Sequence, residues 1–284
     1  MNYYALMVDV VKSRLYYDAD REDIQHFVYQ TIDTLNLIFK KELVKPVEFS
    51  AGDELQGLFS SLNSAYMYLR LLRLTISPVN IRASIGGGDW TVQIDKAGTT
   101  AQDGSAYHNA RYALQRLEES YDYDIFVFTN NRSDKFLNAL INSESIIYNS
   151  QTDMQREMML LFEVYSPILS DEYANVDIYN YRYLLDIAYK KMRFNFYRPV
   201  SRRYEESLID RFDFYNVDIE PTFAYDYFEA DDIAIDTRRR KISSYLSQLI
   251  HTSRQNVEKL VAKGNIINCR NQTIAILNFM NYWR

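Results

Sequence analysis

The stretch Phe49–Phe59 has the sequence Phe-Ser-Ala-Gly-Asp-Glu-Leu-Gln-Gly-Leu-Phe. It is the main indication of the fold in the first part of this 284-residue chain. Apolar residues flank a Gly52-Asp53-Glu54 turn on both sides, which is typical of a β-hairpin whose reversal needs a glycine. The two adjacent carboxylates repel each other unless a cation or a proton lies between them. Since hard cations take oxygen ligands, the hairpin is a candidate Mg²⁺ site. The alternative is a solvated turn, because Gly-Asp is common turn chemistry.

Composition indicates an ordinary globular protein, with 47% hydrophobic and 25% charged residues. No apolar run approaches the roughly 20 residues needed to span a bilayer. The single cysteine, Cys269, excludes an internal disulfide, and the three histidines lack zinc-ligand spacing. The first residues do not have the basic and apolar regions of a signal peptide. We therefore expect a cytoplasmic protein with no membrane partner.

The charge is unevenly distributed along the chain. Residues 238–284 contain nine basic residues and one acidic residue, a net charge of +8, although the whole chain carries −6. The remainder therefore carries −14. An acidic body with a basic tail indicates a polyanion-binding module at the C-terminus, or simply a basic surface.

The first apolar run, Tyr3–Val11, predicts a buried strand that contains one charge, Asp9. A carboxylate in such a strand must be paired, protonated or bound to a metal. Lys12 and Arg14 follow directly and are the nearest cations for a phosphate group. The alternative is that they are exposed charges after the strand.

The patterns that follow predict the order β-α-β-β-α-β, which is the ferredoxin-like, split βαβ arrangement. In that topology the first strand is a neighbour of the central hairpin, so Asp9 would lie close to Asp53, as in a two-metal site. We expect the glycine run Gly86–Gly88 to interrupt the fourth strand. The further expected elements are a resumed strand at Trp90–Ile94, a helix at Asp103–Glu119 and a strand at Ile125–Phe128.

Four motifs carry a family resemblance. They are Leu-Met-Val-Asp-Val-Val-Lys-Ser-Arg (6–14), Ser-Ala-Gly-Asp-Glu-Leu-Gln-Gly-Leu (50–58), Ile-Arg-Ala-Ser-Ile-Gly-Gly-Gly (81–88) and Asp-Gly-Ser-Ala-Tyr-His-Asn-Ala-Arg (103–111). In this order they resemble the bacterial SatD family. The first part in turn resembles the palm of class III nucleotidyl cyclases and GGDEF diguanylate cyclases. That resemblance implies that Asp9 and Asp53 bind metal and that Glu54 stands at the second acid of the GGDEF motif.

The hairpin departs from the GGDEF pattern, because it lacks the first Gly and the Phe. A cyclase helix carries an Asn and an Arg four residues apart, whereas Asn109 and Arg111 are two apart and lie on different helix faces. An active site of this kind would catalyse nucleotidyl transfer with two Mg²⁺ ions held by Asp9 and Asp53. The residues assigned to nucleotide binding are Lys12, Arg14, Gly52, Glu54, Asn109 and Arg111.

The basic tail predicts two helices, Ile242–Leu249 and Arg254–Ala262, joined by a Thr-Ser turn and closed by Gly264. The spacing fits a helix-turn-helix, although His251 stands where glycine is usual. The second helix starts with residue types suited to a major groove, since in general Arg contacts guanine, and Gln and Asn contact adenine. The residues assigned to DNA contact are Arg254, Gln255, Asn256 and Lys259. The alternative is a protein contact, since such units serve that purpose too.

Together these patterns predict an α+β protein. A ferredoxin-like palm occupies residues 1–130, a helical Tyr-rich region 131–237, and a basic helix-turn-helix tail 238–284. A last helix, Ile274–Trp283, packs on the body or on a second subunit of a homodimer. Three functions compete: a Mg²⁺-dependent nucleotide-binding protein that acts as a cyclase or related transferase, a DNA-binding regulator whose palm only senses nucleotide, and an inert partner-binding protein.

Overall fold

The computed structural model describes residues 2–11, 18–119, 123–170, 175–191, 222–223 and 239–282. The strands within these ranges are β1 Tyr3–Val10, β2 Leu43–Ala51, β3 Glu54–Phe59, β4 Ile81–Gly88, β5 Ile125–Phe128, β6 Ile168–Leu169 and β7 Thr222–Phe223. The α-helices are α1 Asp18–Ile38, α2 Leu62–Ile76, α3 Ser105–Glu119, α4 Asp134–Asn149, α5 Asp153–Tyr165, α6 Arg182–Lys191, α7 Arg239–Leu249, α8 Arg254–Lys263 and α9 Ile266–Tyr282.

The main sheet has five strands in the order β2-β3-β1-β4-β5. Strand β1 is antiparallel to both β3 and β4, and β5 is parallel to β4. The first six elements therefore follow the expected β-α-β-β-α-β order, and β1 lies beside the hairpin, as the sequence predicted. A separate two-stranded parallel pair joins β6 to β7.

Helices cover both faces of the sheet. Side chains alternate between the faces of a strand, so Leu6 and Val8 of β1 pack in the large core with α1 and α2. Ala5 and Met7 pack in a smaller core with α3. Asp9 continues the alternation of Ala5 and Met7 and thus lies on the α3 face, at the end of β1.

The glycine run does not interrupt β4, which is a correction to the sequence prediction. The strand continues to Gly88. A Cβ on Gly86 would lie 2.0 Å from the backbone nitrogen of Ala110 and 2.3 Å from the carbonyl oxygen of Ala106. The glycine is therefore needed because the backbone of α3 contacts the strand directly, which is one of the uses of glycine within a strand.

Residues 90–94 form a loop rather than the expected strand, and only Val92 makes an isolated bridge, to Asp103. A buried lysine replaces strand pairing as the support of this loop. The ammonium group of Lys45 donates to the carbonyl oxygens of Ile94 (3.0 Å), Asp95 (3.0 Å) and Ala97 (3.3 Å). A side chain from β2, rather than a neighbouring strand, therefore satisfies these loop carbonyl groups.

The last helix, α9, begins at Ile266, earlier than expected, and packs on the body of the protein. Its residues Ile274, Ile276, Leu277 and Met280 are buried in the same large core as α2, α4 and α5. One of the nine basic residues of the tail, Arg270, is 0% exposed and so does not belong to a basic surface. No helix in the described part of the chain has both the length and the apolar character that a bilayer crossing requires.

Candidate functional site

Two strands bring Asp9 and Asp53 to the same edge of the sheet. Val8 pairs with Leu55 in the β1–β3 register, so the end of β1 lies next to the β2–β3 turn that carries Asp53. Gly52 in this turn has φ +62°, the left-handed region that glycine adopts without a steric penalty. The hairpin predicted from the sequence therefore exists, and its turn has the geometry that requires a glycine.

The electrostatics of Asp9 show that the two carboxylates interact. Burial and the negative charge of Asp53 raise the pKa of Asp9, Arg82 opposes that rise in pKa, and Glu118 and Glu54 add to it. An ionised Asp9 is thus disfavoured by its surroundings when no cation is present. A divalent cation at this edge would relieve that repulsion.

Glu54 lies at the same edge but already has partners. One carboxylate oxygen is 2.7 Å from the Arg111 guanidinium, and the other accepts a hydrogen bond of 3.0 Å from the Ser50 hydroxyl. The pair joins the start of β3 to the middle of α3. Two of the residues assigned to nucleotide binding, Glu54 and Arg111, are therefore brought into direct contact.

Asn109 does not join this group. Its side-chain amide donates a 2.7 Å hydrogen bond to the carbonyl oxygen of Gly87, which ties α3 to β4. Arg111, two residues on, contacts the hairpin instead. The pair thus diverges, as the two-residue spacing predicted. Lys12 and Arg14, also assigned to nucleotide binding, lie outside the described residues.

Three further charged residues at this edge were missed from the sequence. Arg82 is the register partner of Asp9 across the β1–β4 pair, and Glu118 lies on α3. Arg21, in the first turns of α1, lines a surface recess together with Asp53. The antiparallel register could have identified Arg82, because strands of known order place opposing residues together. The other two depend on how the helices pack.

The donor set at the edge fits magnesium, with water or nucleotide phosphates as its remaining ligands. Among the described residues, no group of three His, Cys, Asp or Glu side chains is placed to enclose a metal ion. Mg²⁺, however, is usually held by one or two carboxylates together with substrate phosphates. Asp9 and Asp53 supply two such carboxylates. Glu54 would be a third only after leaving Arg111.

The second region singled out in the sequence is the start of α8. Arg254, Gln255, Asn256 and Lys259 are all exposed, whereas Val257 on the opposite side is buried. The Ser253 side chain caps the helix by accepting from the backbone N–H of Asn256. Arg254 forms an ion pair of 2.8 Å with Glu258. The Asn256 side-chain amide donates a 3.3 Å hydrogen bond to the Thr252 hydroxyl. The four predicted DNA-contact residues are therefore all solvent-exposed, and two of them already have a side-chain partner.

The turn between α7 and α8 has an unusual backbone. His251, at the position where glycine is usual, has φ +49°. This left-handed conformation is uncommon for residues other than glycine. The position therefore has the backbone geometry that glycine would supply.

The five-stranded mixed sheet, with helices on both faces, defines a protein of mixed α and β structure that places two acidic residues, Asp9 and Asp53, at one edge. A family model described as the SatD family matches residues 3–191. The chain belongs to the SatD family. A solved structure, "Structure of a bacterial light-regulated adenylyl cyclase", is similar at 14% sequence identity, with a TM-score of 0.30, over 49% of this chain and 79% of that chain. A search of curated proteins found no match.

Proposed function

We propose that this SatD-family protein binds a nucleoside triphosphate with Mg²⁺ at the edge formed by Asp9 and Asp53, and that its reaction is nucleotidyl transfer, of which cyclisation is one form. The observation that carries the proposal is the placement of Asp9 and Asp53 at one edge by the β1–β3 register and the hairpin turn, where burial and Asp53 raise the pKa of Asp9. A divalent cation would offset that repulsion, and perturbed carboxylates cluster at functional sites. The palm resemblance of the residue pattern supports the same assignment.

Four residues at the edge have a role in this proposal. The carboxylates of Asp9 and Asp53 hold the metal, and Gly52 lets the turn approach the phosphates. Arg111 supplies a guanidinium, which suits phosphate because it can donate two parallel hydrogen bonds. When bound, Mg²⁺ supplies an activated hydroxyl nucleophile and neutralises charge on the leaving phosphates.

Isothermal titration with ATP and GTP, with and without Mg²⁺, tests the proposal. The wild-type protein should bind at least one triphosphate in a Mg²⁺-dependent manner, and Asp53→Asn should weaken that binding at least tenfold. Asp186→Asn, an exposed acid on α6, is the matched control and should bind as the wild type does. No binding, or binding unchanged in Asp53→Asn, would refute the proposal.

A second candidate, DNA binding through α7 and α8, is favoured by a separate observation. The exposed Arg254, Gln255 and Asn256 lie in the first turn of α8, where a recognition helix contacts base edges. The left-handed His251 gives the turn a backbone that glycine usually provides in a helix-turn-helix. In this candidate the Asp9 edge senses nucleotide and catalyses nothing.

A salt-dependent gel shift tests the DNA-binding candidate. Double substitution of Arg254 and Lys259 by alanine should weaken binding and reduce the salt slope by about one for each phosphate that is no longer neutralised. Substitution of the exposed Lys40 and Lys41 by alanine is the charge-matched control. A shift that survives the first pair of substitutions would eliminate this candidate. Failure of both nucleotide and DNA binding would leave the partner-binding alternative, in which a second copy of the chain is one possible partner.

A further inference from the structure

The ion pair between Glu54 and Arg111 lies at the proposed metal edge. Its two residues are 57 positions apart in the sequence, and the pair is the only ion pair between α3 and the hairpin within the described residues. The Glu54 side chain is 20% exposed and that of Arg111 is 46% exposed. The Glu54 side chain is therefore the more buried partner, and the Arg111 side chain is the more exposed one.

Glu54 lies beside Asp9, because Val8 pairs with Leu55 in the antiparallel β1–β3 register and the next residues along, Asp9 and Glu54, are therefore neighbours. A cation placed by Asp9 and Asp53 would attract the Glu54 carboxylate as well. The Arg111 guanidinium and the metal would then compete for the same oxygen. Since Arg111 carries one positive charge and a divalent cation carries two, the cation is the stronger electrostatic partner at equal distance.

Arg111 can leave Glu54 without movement of its helix. The backbone of α3 is fixed on β4 by the close approach at Gly86 and by a 2.8 Å hydrogen bond from the Ser84 hydroxyl to the Ala110 carbonyl. The Arg111 side chain is nearly half exposed, so open solvent is available to it once the ion pair breaks. A released guanidinium at the mouth of the site is suited to a phosphate.

We propose that the Glu54–Arg111 ion pair makes nucleotide binding follow metal binding. Without a divalent cation, the Arg111 guanidinium stays in its ion pair with the Glu54 carboxylate. A cation at Asp9 and Asp53 draws Glu54 to itself and releases Arg111, which then binds the triphosphate. This inference rests on the proposed function and adds its regulation, an order of binding imposed by one arginine.

Titration of Mg²⁺ alone, by calorimetry without nucleotide, tests the competition. Arg111→Gln should tighten Mg²⁺ binding several-fold, because Glu54 is no longer held. In the Glu54→Gln background the same substitution should have little effect, since no carboxylate remains to be released. Such a double-mutant cycle separates a contact from a long-range charge effect. Arg116→Gln, on the same helix and 60% exposed, is the matched control for the removal of a positive charge.

Titration of ATP and GTP at saturating Mg²⁺ tests the second half of the inference. Arg111→Gln should weaken triphosphate binding by about tenfold or more, the usual effect of removing a charged hydrogen bond. If wild-type protein binds Mg²⁺ and triphosphate but the tightening by Arg111→Gln is absent, or persists in the Glu54→Gln background, the inference fails and the proposed function stands. A wild-type protein that binds neither overturns both.

Discussion

At the scale of the single residue, Asp9 couples stability to the proposed site. Because its pKa is raised in the folded state by burial and by Asp53, folding favours the protonated acid. The stability that protonation contributes is complete below the pKa of the unfolded chain and is lost as the pH rises through the folded pKa. Above its folded pKa, Asp9 is ionised in surroundings that disfavour the charge. It therefore lowers the free energy of unfolding of the metal-free protein.

We expect Asp9→Asn to unfold at a higher temperature than the wild type at pH 7 without divalent cations, and this advantage should shrink in acid. Thermal unfolding monitored by circular dichroism between pH 4 and 7 measures the difference. Mg²⁺ at about 100 times its Kd should stabilise the wild type by about 2.7 kcal/mol and leave the variant unchanged. A variant that is less stable than the wild type at pH 7 contradicts this account. Asp186→Asn serves as the control.

At the scale of the element, the contact between β4 and α3 positions Arg111. Gly86→Ala would place a methyl group against the backbone of Ala110, which cannot move without displacing α3. We expect a decrease of about 3 kcal/mol in the free energy of unfolding, at the upper end of the usual cost of overpacking. Urea denaturation measures this decrease.

The neighbouring Gly87 provides the control for that substitution. A Cβ there would lie 2.9 Å from the Thr129 side chain, and a side chain can rotate where a helix backbone cannot. Gly87→Ala should therefore cost about 1 kcal/mol, the lower end of the same range. Equal costs in the two variants would show that the approach of α3 does not limit packing at Gly86.

The sequence predicts the elements of this edge better than it predicts the contacts between them. Apolar periodicity and the Gly-Asp turn identified β1 and the hairpin, and the β-α-β-β-α-β order placed Asp9 beside them. The Glu54–Arg111 ion pair could not be inferred, because it depends on the face of the sheet against which α3 packs. The sequence predicts that Gly86 interrupts the strand, because it shows a missing side chain but not the helix that packs against that position.

At the scale of the whole molecule, a buried charge network joins the C-terminal helix to the body. Arg70 on α2 and Arg270 on α9 both pair with Glu163 on α5, and the Arg70–Glu163 distance is 2.8 Å. These three side chains are at most 1% exposed. From the sequence the two arginines resemble surface cations, because their shared partner lies 93 and 107 residues away. The position of α9 therefore depends on ionic contacts that no local pattern reveals.

Substitution of Glu163 tests the importance of that network. Burial alone would raise the pKa of Glu163, but Arg270 and Arg70 outweigh burial and lower it. The stability it contributes is therefore present above the pKa of the unfolded chain and is lost as the pH falls through the lower, folded pKa. Glu163→Gln leaves two buried arginines without their counter-charge, which should cost about 3–5 kcal/mol in the free energy of unfolding at pH 7.

Urea denaturation at pH 7 and in acid measures both effects of Glu163→Gln. The cost at pH 7 should become smaller in acid, where the wild-type glutamate also becomes neutral. Glu258→Gln, which breaks the exposed ion pair with Arg254, is the control and should cost less than about 1 kcal/mol. If the two substitutions cost the same, the buried network does not hold α9 on the body, and apolar packing around Ile274 and Leu277 would have to do so alone.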